Sequence, residues 1–153
     1  MNTIQELVKH LEGKGCELFP CSKVDIIEAE KYFNIELPLI YKEFLLVMGN
    51  GAGAFMRGSS VFLNELYDLK DGAIEIMHDN NLGLLPDNAF VFWLHQGYQM
   101  AYFLIDGPSS LPVYYFGEGA GINEVKLIFE RFIDFLDAQL RMSGLSVKPS
   151  RSK

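Results

Sequence analysis

The three histidines are the first side chains to consider for chemistry, because a general base or a metal site commonly uses one. His10 lies one helical turn after Glu6, a spacing typical of a solvent-exposed pair on a helix. His78 precedes Asp79 in a polar stretch, and no further ligand stands at metal-binding spacing. His95 lies in an aromatic run that indicates a strand, in the core or at an edge. We therefore predict no catalytic residue and no metal site.

Glycine-rich segments are the next candidates, since such loops cradle phosphates when a helix follows them. Residues 49–53 follow a predicted helix and lack the Lys-Ser/Thr pair of a phosphate loop, so they indicate a helix stop. Residues 117–121 precede a predicted helix, but Glu118 and Glu124 would repel a phosphate there. The two Ser-Ser pairs lack the Gly-x-Ser-x-Gly turn that presents a nucleophile. We expect no bound cofactor.

Cysteine usage and the N-terminus indicate a compartment. Cys16 and Cys21 stand at C-x4-C spacing without a second cysteine pair, which favours free thiols over a zinc site and leaves open whether they ever pair. Residues 1–6 lack the basic-then-apolar order of a secretory signal. No stretch approaches the roughly 20 consecutive apolar residues of a membrane helix. The expected location is the cytoplasm.

Charge is distributed unevenly along the chain. The formal net charge is -7, and residues 71–125 contain seven acids and neither lysine nor arginine. Such a surface repels nucleic-acid phosphates and anionic membranes, and it attracts a basic partner. Binding to nucleic acid or to a membrane is therefore not expected.

Helix signals dominate the first third of the chain. Thr3 with Glu6, and Ser22 with Asp25, have the form of capping boxes and predict two helices. Pro38 predicts the start of a third helix, which ends at the glycines that follow residue 48. The expected apolar positions of the second helix are Val24, Ile27 and Phe33.

Strand signals follow. Residues 61–69 are strand-like, residues 90–94 and 98–105 predict a hairpin, and residues 113–116 predict a further strand. A last helix is expected from a cap at Asn123, with apolar positions running from Val125 to Leu140. The fold class is therefore α+β: N-terminal helices, an antiparallel β-sheet meander, and a C-terminal helix packed on the sheet.

The 153 residues fit one domain of ordinary size. We divide it into an N-terminal helix and connector (1–21), a central region (22–140) and a basic tail expected to be frayed (141–153).

Residues 36–45 (Glu-Leu-Pro-Leu-Ile-Tyr-Lys-Glu-Phe-Leu), followed by Gly-Asn-Gly at 49–51, resemble the signature of the SUKH superfamily, the Smi/Knr-type fold. The Phe-Leu pair at 62–63, the Pro-Val-Tyr strand at 112–114 and the Phe-x-x-Phe-Leu segment at 132–136 agree with it. The resemblance covers roughly residues 22 to 140.

This resemblance implies a protein that works by binding another protein. Bacterial members of the superfamily are mostly immunity proteins, which neutralise polymorphic toxins, very often nucleases, by direct contact. Others regulate signalling or cell-wall synthesis through protein contacts, and this is the alternative function. No catalytic residue carries over from the family.

The acidic segment is the expected contact site. Five acids fall within fifteen residues, with one tyrosine among them to serve as an aromatic anchor and only Lys70 opposing. A charge run of this kind is more often a solvated face, and that interpretation stays open. Tyrosine-rich strands could also form a dimer edge, so a homodimer is a further expectation. The hypothetical partner-binding residues are Glu65, Tyr67, Asp68, Asp71, Glu75 and Asp79.

Overall fold

The computed structural model describes residues 1–119, 121 and 123–146. Three helices come first, namely α1 (Ile4–Gly13), α2 (Lys23–Phe33) and α3 (Leu39–Met48). A two-residue strand β1 (Ser59–Ser60) and a 3-10 turn (Leu63–Glu65) lead into α4 (Leu66–Asp79). The chain continues with strands β2 (Ala89–His95), β3 (Gln99–Leu104), β4 (Val113–Gly117) and β5 (Lys126–Phe129), and then with α5 (Phe132–Met142). The predicted α+β class is confirmed.

Side-chain caps fix the starts of the first two helices. Thr3 Oγ1 accepts from the Glu6 amide at 3.1 Å, and Glu6 Oε1 accepts from the Thr3 amide at 3.0 Å. Ser22 and Asp25 repeat this reciprocal pair at 3.1 and 3.3 Å. Both predicted capping boxes are confirmed, and each contributes roughly 1 kcal/mol to helix stability.

The inward face of α2 differs from the expected one. Ile26 and Ala29 are buried, whereas Val24 and Ile27 are 63% and 49% exposed. The buried stripe of this helix is narrow and includes a small alanine, so the larger side chains beside it gave a misleading periodicity.

The predicted third helix is confirmed as α3, and it lies at the centre of the core. Its buried face consists of Tyr41, Phe44, Leu45 and Met48. The helix stops at Gly49, where an added Cβ would lie 2.3 Å from Cys21 Sγ. Glycine is therefore required at this position by the close approach of the Cys21 segment.

The sheet is an antiparallel meander in which every strand pairs with its neighbours in sequence, in the order β1 to β5. The predicted hairpin is confirmed as β2 and β3. Its turn is closed by the Tyr98 amide donating to the His95 carbonyl at 3.3 Å, with positive φ at both Gln96 and Gly97. Positive φ at both central residues is the type I′ requirement, which matches the twist of the strands.

Two helices cover opposite faces of this sheet. The register shifts between Val91 and Trp93, so Phe92 and Trp93 both contact Phe135 of α5, with ring centroids 5.0 and 5.5 Å away. Beyond this bulge the side chains alternate, which turns Leu94 to the other face. On that face Leu94 lies against Gly72 of α4. A Cβ added at Gly72 would lie 2.6 Å from Leu94 Cδ1.

Two element assignments from the sequence were wrong. Residues 61–69 are not a strand but contain the 3-10 turn and the start of α4. Residues 126–129 are not part of the last helix but form β5, and α5 begins only at Phe132. Neither α4 nor α5 has a side-chain hydrogen bond at its N-cap. The apolar run that leads into α5 therefore contains no residue that marks where the strand ends and the helix begins.

Helix α1 packs on the core and contacts the residues that follow α5. Leu7 and Leu11 of α1 are fully buried, and His10 Nε2 contacts the Leu145 carbonyl, which follows α5. Of the tail expected to be frayed, residues 147–153 lie outside the described residues. Within the described part of the chain, no helix is long and apolar enough to cross a membrane.

Candidate partner-binding surface

Helix α4 brings four of the six predicted contact residues onto one face. They are spaced three, four and four residues apart, so they fall within about 80° of arc at 3.6 residues per turn. This arc lies opposite the buried stripe formed by Leu66, Leu69, Ala73 and Ile76. We call the four exposed carboxylates the acidic row: Asp68, Asp71, Glu75 and Asp79.

Glu65 and Tyr67 lie beside the row and have local partners. Glu65 is half-buried, and its Oε1 accepts from the Val61 amide at 3.3 Å, which ties down the turn before α4. Tyr67 is half-buried and stacks on Phe33 of α2 at 5.5 Å. Its tie to α2 is a structural role; a direct role in partner contact stays a prediction.

Tyr67 also shows that acids of α2 lie near α4. Its pKa is raised, chiefly by burial and then by the negative charges of Glu28 and Asp25. Tyr32 packs edge-on against Tyr67 at 4.8 Å and is 65% exposed. The surface therefore includes an exposed aromatic ring beside acids from two helices, a feature that sequence order does not reveal because Tyr32 and Tyr67 are far apart in the chain.

The acidic row destabilises the helix that carries it. Asp71 with Glu75, and Glu75 with Asp79, are like charges one turn apart, each costing about 0.2–0.5 kcal/mol. Asp79 also lies at the helix C-terminus, where the helix dipole disfavours negative charge. Among the described residues, the one ion-pair contact of the row joins His78 Nδ1 to Asp79 Oδ1 at 3.6 Å, on the surface. Local rules broken in this way are typical of functional sites.

A cavity of about 500 Å³ lies on the other side of the sheet, beneath the C-terminal half of α5. Its lining includes Trp93, His95 and Tyr115. The Trp93 indole nitrogen is buried without a hydrogen-bond partner, and in the described chain it shares this state with the Tyr41 hydroxyl alone. No sequence pattern indicates this cavity, because its lining residues come from separate parts of the chain.

His95 and His10 each contact neighbouring protein groups. His95 Nδ1 lies 2.9 Å from Ser59 Oγ, and its ring stacks near-parallel on Trp93 at 5.9 Å. A Ser-His pair could serve nucleophilic catalysis if an acid oriented the histidine, but in the described part of the chain no acid lines this cavity. His10 does not pair with Glu6 as expected, because Glu6 is used in the α1 capping box.

The remaining candidates are the two cysteines, the glycine-rich residues 117–121 and clusters of metal-ligating side chains. Cys16 and Cys21 are buried and unpaired, and burial followed by the Asp25 charge raises the pKa of Cys21 to about 11. Residues 117–121 precede a strand and not a helix, which corrects the premise of the anion-site candidate. Over residues 1–119, 121 and 123–146, no three His, Cys, Asp or Glu side chains gather as a metal site.

The helices, the meander and the exposed acidic surface define an α+β protein-interaction module. The chain matches the SUKH family described as SMI1-KNR4 cell-wall over residues 23–136, which is well over half of its length. It therefore belongs to that family and is an SMI1/KNR4-like module. No curated protein matches the chain.

Proposed function

We propose that this protein is an immunity protein that neutralises a cognate toxin of the nuclease type by covering its basic surface. The observation that carries the proposal is the acidic row, which costs α4 stability and has only a single surface contact to offset it among the described residues. A charged surface kept at such a cost is typical of function.

Electrostatics would provide fast encounter. Nucleases carry basic surfaces that hold phosphates, and a complementary acidic face steers association toward ~10⁸ M⁻¹s⁻¹ at low salt. Because exposed charges are screened beyond about 10 Å at 0.1 M salt, the association rate should fall steeply as salt is added.

Charge alone rarely supplies tight binding, which usually depends on a few buried aromatic or arginine anchors. Tyr32 suits this role, since it is exposed beside acids of α2 and α4 and is braced by Tyr67 and Phe33. A partner would bury its free face at little entropic cost because neighbouring rings already restrict it.

The alternative function is a regulatory interaction module in signalling or cell-wall synthesis. The description of the matched family, which names the cell wall, is the observation that favours it. The same acidic surface would then bind a basic segment of a regulatory partner.

Co-expression with the product of the adjacent gene tests the proposal. If that product is toxic, we expect growth rescue and a complex recovered by pull-down. Asp71→Lys with Glu75→Lys should slow association at least tenfold at low salt while leaving the melting temperature nearly unchanged. The matched control is Glu12→Lys with Glu17→Lys, the same charge change at exposed sites away from α4. Rescue and association rates equal to wild type in the α4 variant would remove the acidic row from the interface.

A further inference from the structure

The cavity beneath α5 has the dimensions of a small-molecule site. Its volume of about 500 Å³ falls inside the range of roughly 300–1,000 Å³ that such sites occupy. Four aromatic residues surround it, of which Tyr115 and Phe129 are half-buried and offer accessible ring surface, whereas Trp93 and Phe135 are almost fully buried. Walls of this kind favour a flat, apolar body, because aromatic rings pack edge-to-face or offset against one another.

The polar side chains of the cavity are those of Arg57, Ser59, Trp93, His95, Gln99, Tyr115, Gln139 and Ser143. Tyr115 Oη donates to Gln99 Oε1 at 2.9 Å, which occupies the amide oxygen and leaves the Gln99 NH₂ as a donor. The Trp93 indole N–H is buried, at 2% exposure of the residue, and has no acceptor. Because solvent does not reach this nitrogen, it offers no hydrogen bond to a ligand in the cavity, and the polar contacts of a ligand fall to the other lining groups.

The charge of the lining is opposite to that of the chain. Arg57 lines the cavity, and no ion pair or side-chain hydrogen bond engages its guanidinium within the described residues. No aspartate or glutamate is among the lining residues, although the chain has a net charge of -7. Guanidinium groups bind carboxylates in a two-pronged geometry that Lys does not reproduce.

From this combination we infer that the cavity binds a small aromatic carboxylate, with its ring against the aromatic wall and its carboxylate on Arg57. This site is separate from the acidic row, because α4 and α5 cover opposite faces of the sheet. The inference therefore does not depend on the proposed toxin partner.

Trp93 is the sole tryptophan of the chain, so its fluorescence reports directly on the cavity. The probes are 3-phenylpropionate, its neutral amide 3-phenylpropionamide and the cation 3-phenylpropylamine, which share one ring and differ in charge. We expect saturable changes in Trp93 emission with the carboxylate, at least tenfold weaker binding of the amide and none of the amine.

Two variants sharpen the experiment. Arg57→Gln should weaken the carboxylate at least tenfold and leave the amide unaffected, whereas Lys14→Gln, the same charge loss on the exposed end of α1, should change neither. Ala138→Phe should fill the cavity and abolish binding of both probes, with a thermal melt verifying that the variant is folded.

Equal affinity for carboxylate and amide, absence of binding at millimolar concentration, or an Arg57→Gln variant that binds like wild type would each overturn the inference. The last probe is a peptide that ends in a phenylalanine with a free carboxylate. If it binds more than tenfold tighter than 3-phenylpropionate, the occupant is a protein C-terminus and the small-molecule assignment is wrong.

Discussion

Helices α4 and α5 cover the two faces of one sheet, but they are seated differently. On α4 the small residues Gly72 and Ala73 face β2, so the helix lies close to Leu94 and presents its charged side outward. On α5 the large rings Phe132 and Phe135 come first, and the smaller Ala138 follows where the cavity opens. A small residue on α4 therefore lets that helix lie against the sheet. A small residue on α5 leaves a space between that helix and the sheet.

This difference separates two kinds of binding surface. The α4 side presents a row of exposed carboxylates, which suits a basic macromolecule. The α5 side contains a cavity lined by Arg57 and aromatic residues, which suits a small ligand. Between the two helices, Phe92 and Phe103 stack at 5.3 Å in the core of the molecule.

The largest expected effect is on the α5 side. Phe135→Ala should destabilise the protein by about 3–5 kcal/mol, because this fully buried ring contacts Phe92 and Trp93 and no side chain can fill its place. Urea unfolding followed by circular dichroism measures the loss. Met142→Ala, at a position that is 74% exposed on the same helix, is the control and should stay within about 0.5 kcal/mol. A Phe135→Ala cost below 1 kcal/mol would mean that α5 is not anchored there.

The seating of α4 can be tested by a double-mutant cycle. Gly72→Ala should stay within about 0.5 kcal/mol of wild type, because displacing Leu94 Cδ1 offsets the gain in helix propensity from alanine. In a Leu94→Ala background the same change should become favourable by about 1 kcal/mol, since alanine is the better helix former and no Leu94 side chain opposes it. Additive energies in the cycle would contradict the close contact. Ala138→Leu is the counterpart under α5 and should be tolerated, because the cavity provides room.

The start of α5 gives a smaller, pH-dependent effect. Asp134 accepts from Arg131 Nη2 at 2.7 Å and from Nε at 3.0 Å, and this bonding lowers the pKa of its carboxyl. A lowered folded-state pKa adds stability above the unfolded pKa of about 3.9, and that stability is lost as the pH falls through the folded value. Asp134→Asn should cost about 0.5–1 kcal/mol at pH 7. Comparing urea unfolding of both proteins at pH 7 and pH 3 should show the gap closing in acid; a constant gap would exclude the pair as its source.

The smallest effect is expected on the acidic row. Glu75→Gln removes two like-charge pairs on α4 and should stabilise the protein by a few tenths of a kcal/mol in low salt. The gain should shrink in 1 M NaCl, where the screening length is about 3 Å. Thermal melts in both salts measure it, and a loss of stability in low salt would show that Glu75 has a favourable partner in solution.

The sequence predicted those elements whose ends carry their own chemistry. Capping boxes at Thr3 and Ser22, the glycine stop after Met48 and the turn at Gly97 each satisfy or redirect the backbone locally, and the elements they bound are correct. Helices α4 and α5 begin without a side-chain cap; α4 was not predicted, and the start of α5 was placed too early. Burial then decides where such helices start, and burial depends on partners distant in sequence.

The candidate site follows the same division. The acids of α4 are visible in the sequence because they are simply abundant there, but their alignment in a row required a helix that the sequence did not indicate. Tyr32 joins them only through its packing on Tyr67. Trp93 of the cavity lining follows the β2 bulge, and no local sequence pattern predicts that bulge.

The attachment of α1 has a practical consequence for anyone dissecting this protein. The family match runs from 23 to 136, yet Leu7 and Leu11 lie fully inside the core and Leu140 is buried beyond the other limit. Arg131 also reaches back to Asn2 Oδ1 at 3.0 Å. A fragment cut to the matched limits would lose α1 entirely and the last part of α5. The apolar side chains exposed by this loss would promote aggregation. The folding unit is larger than the stretch by which its relatives are recognised.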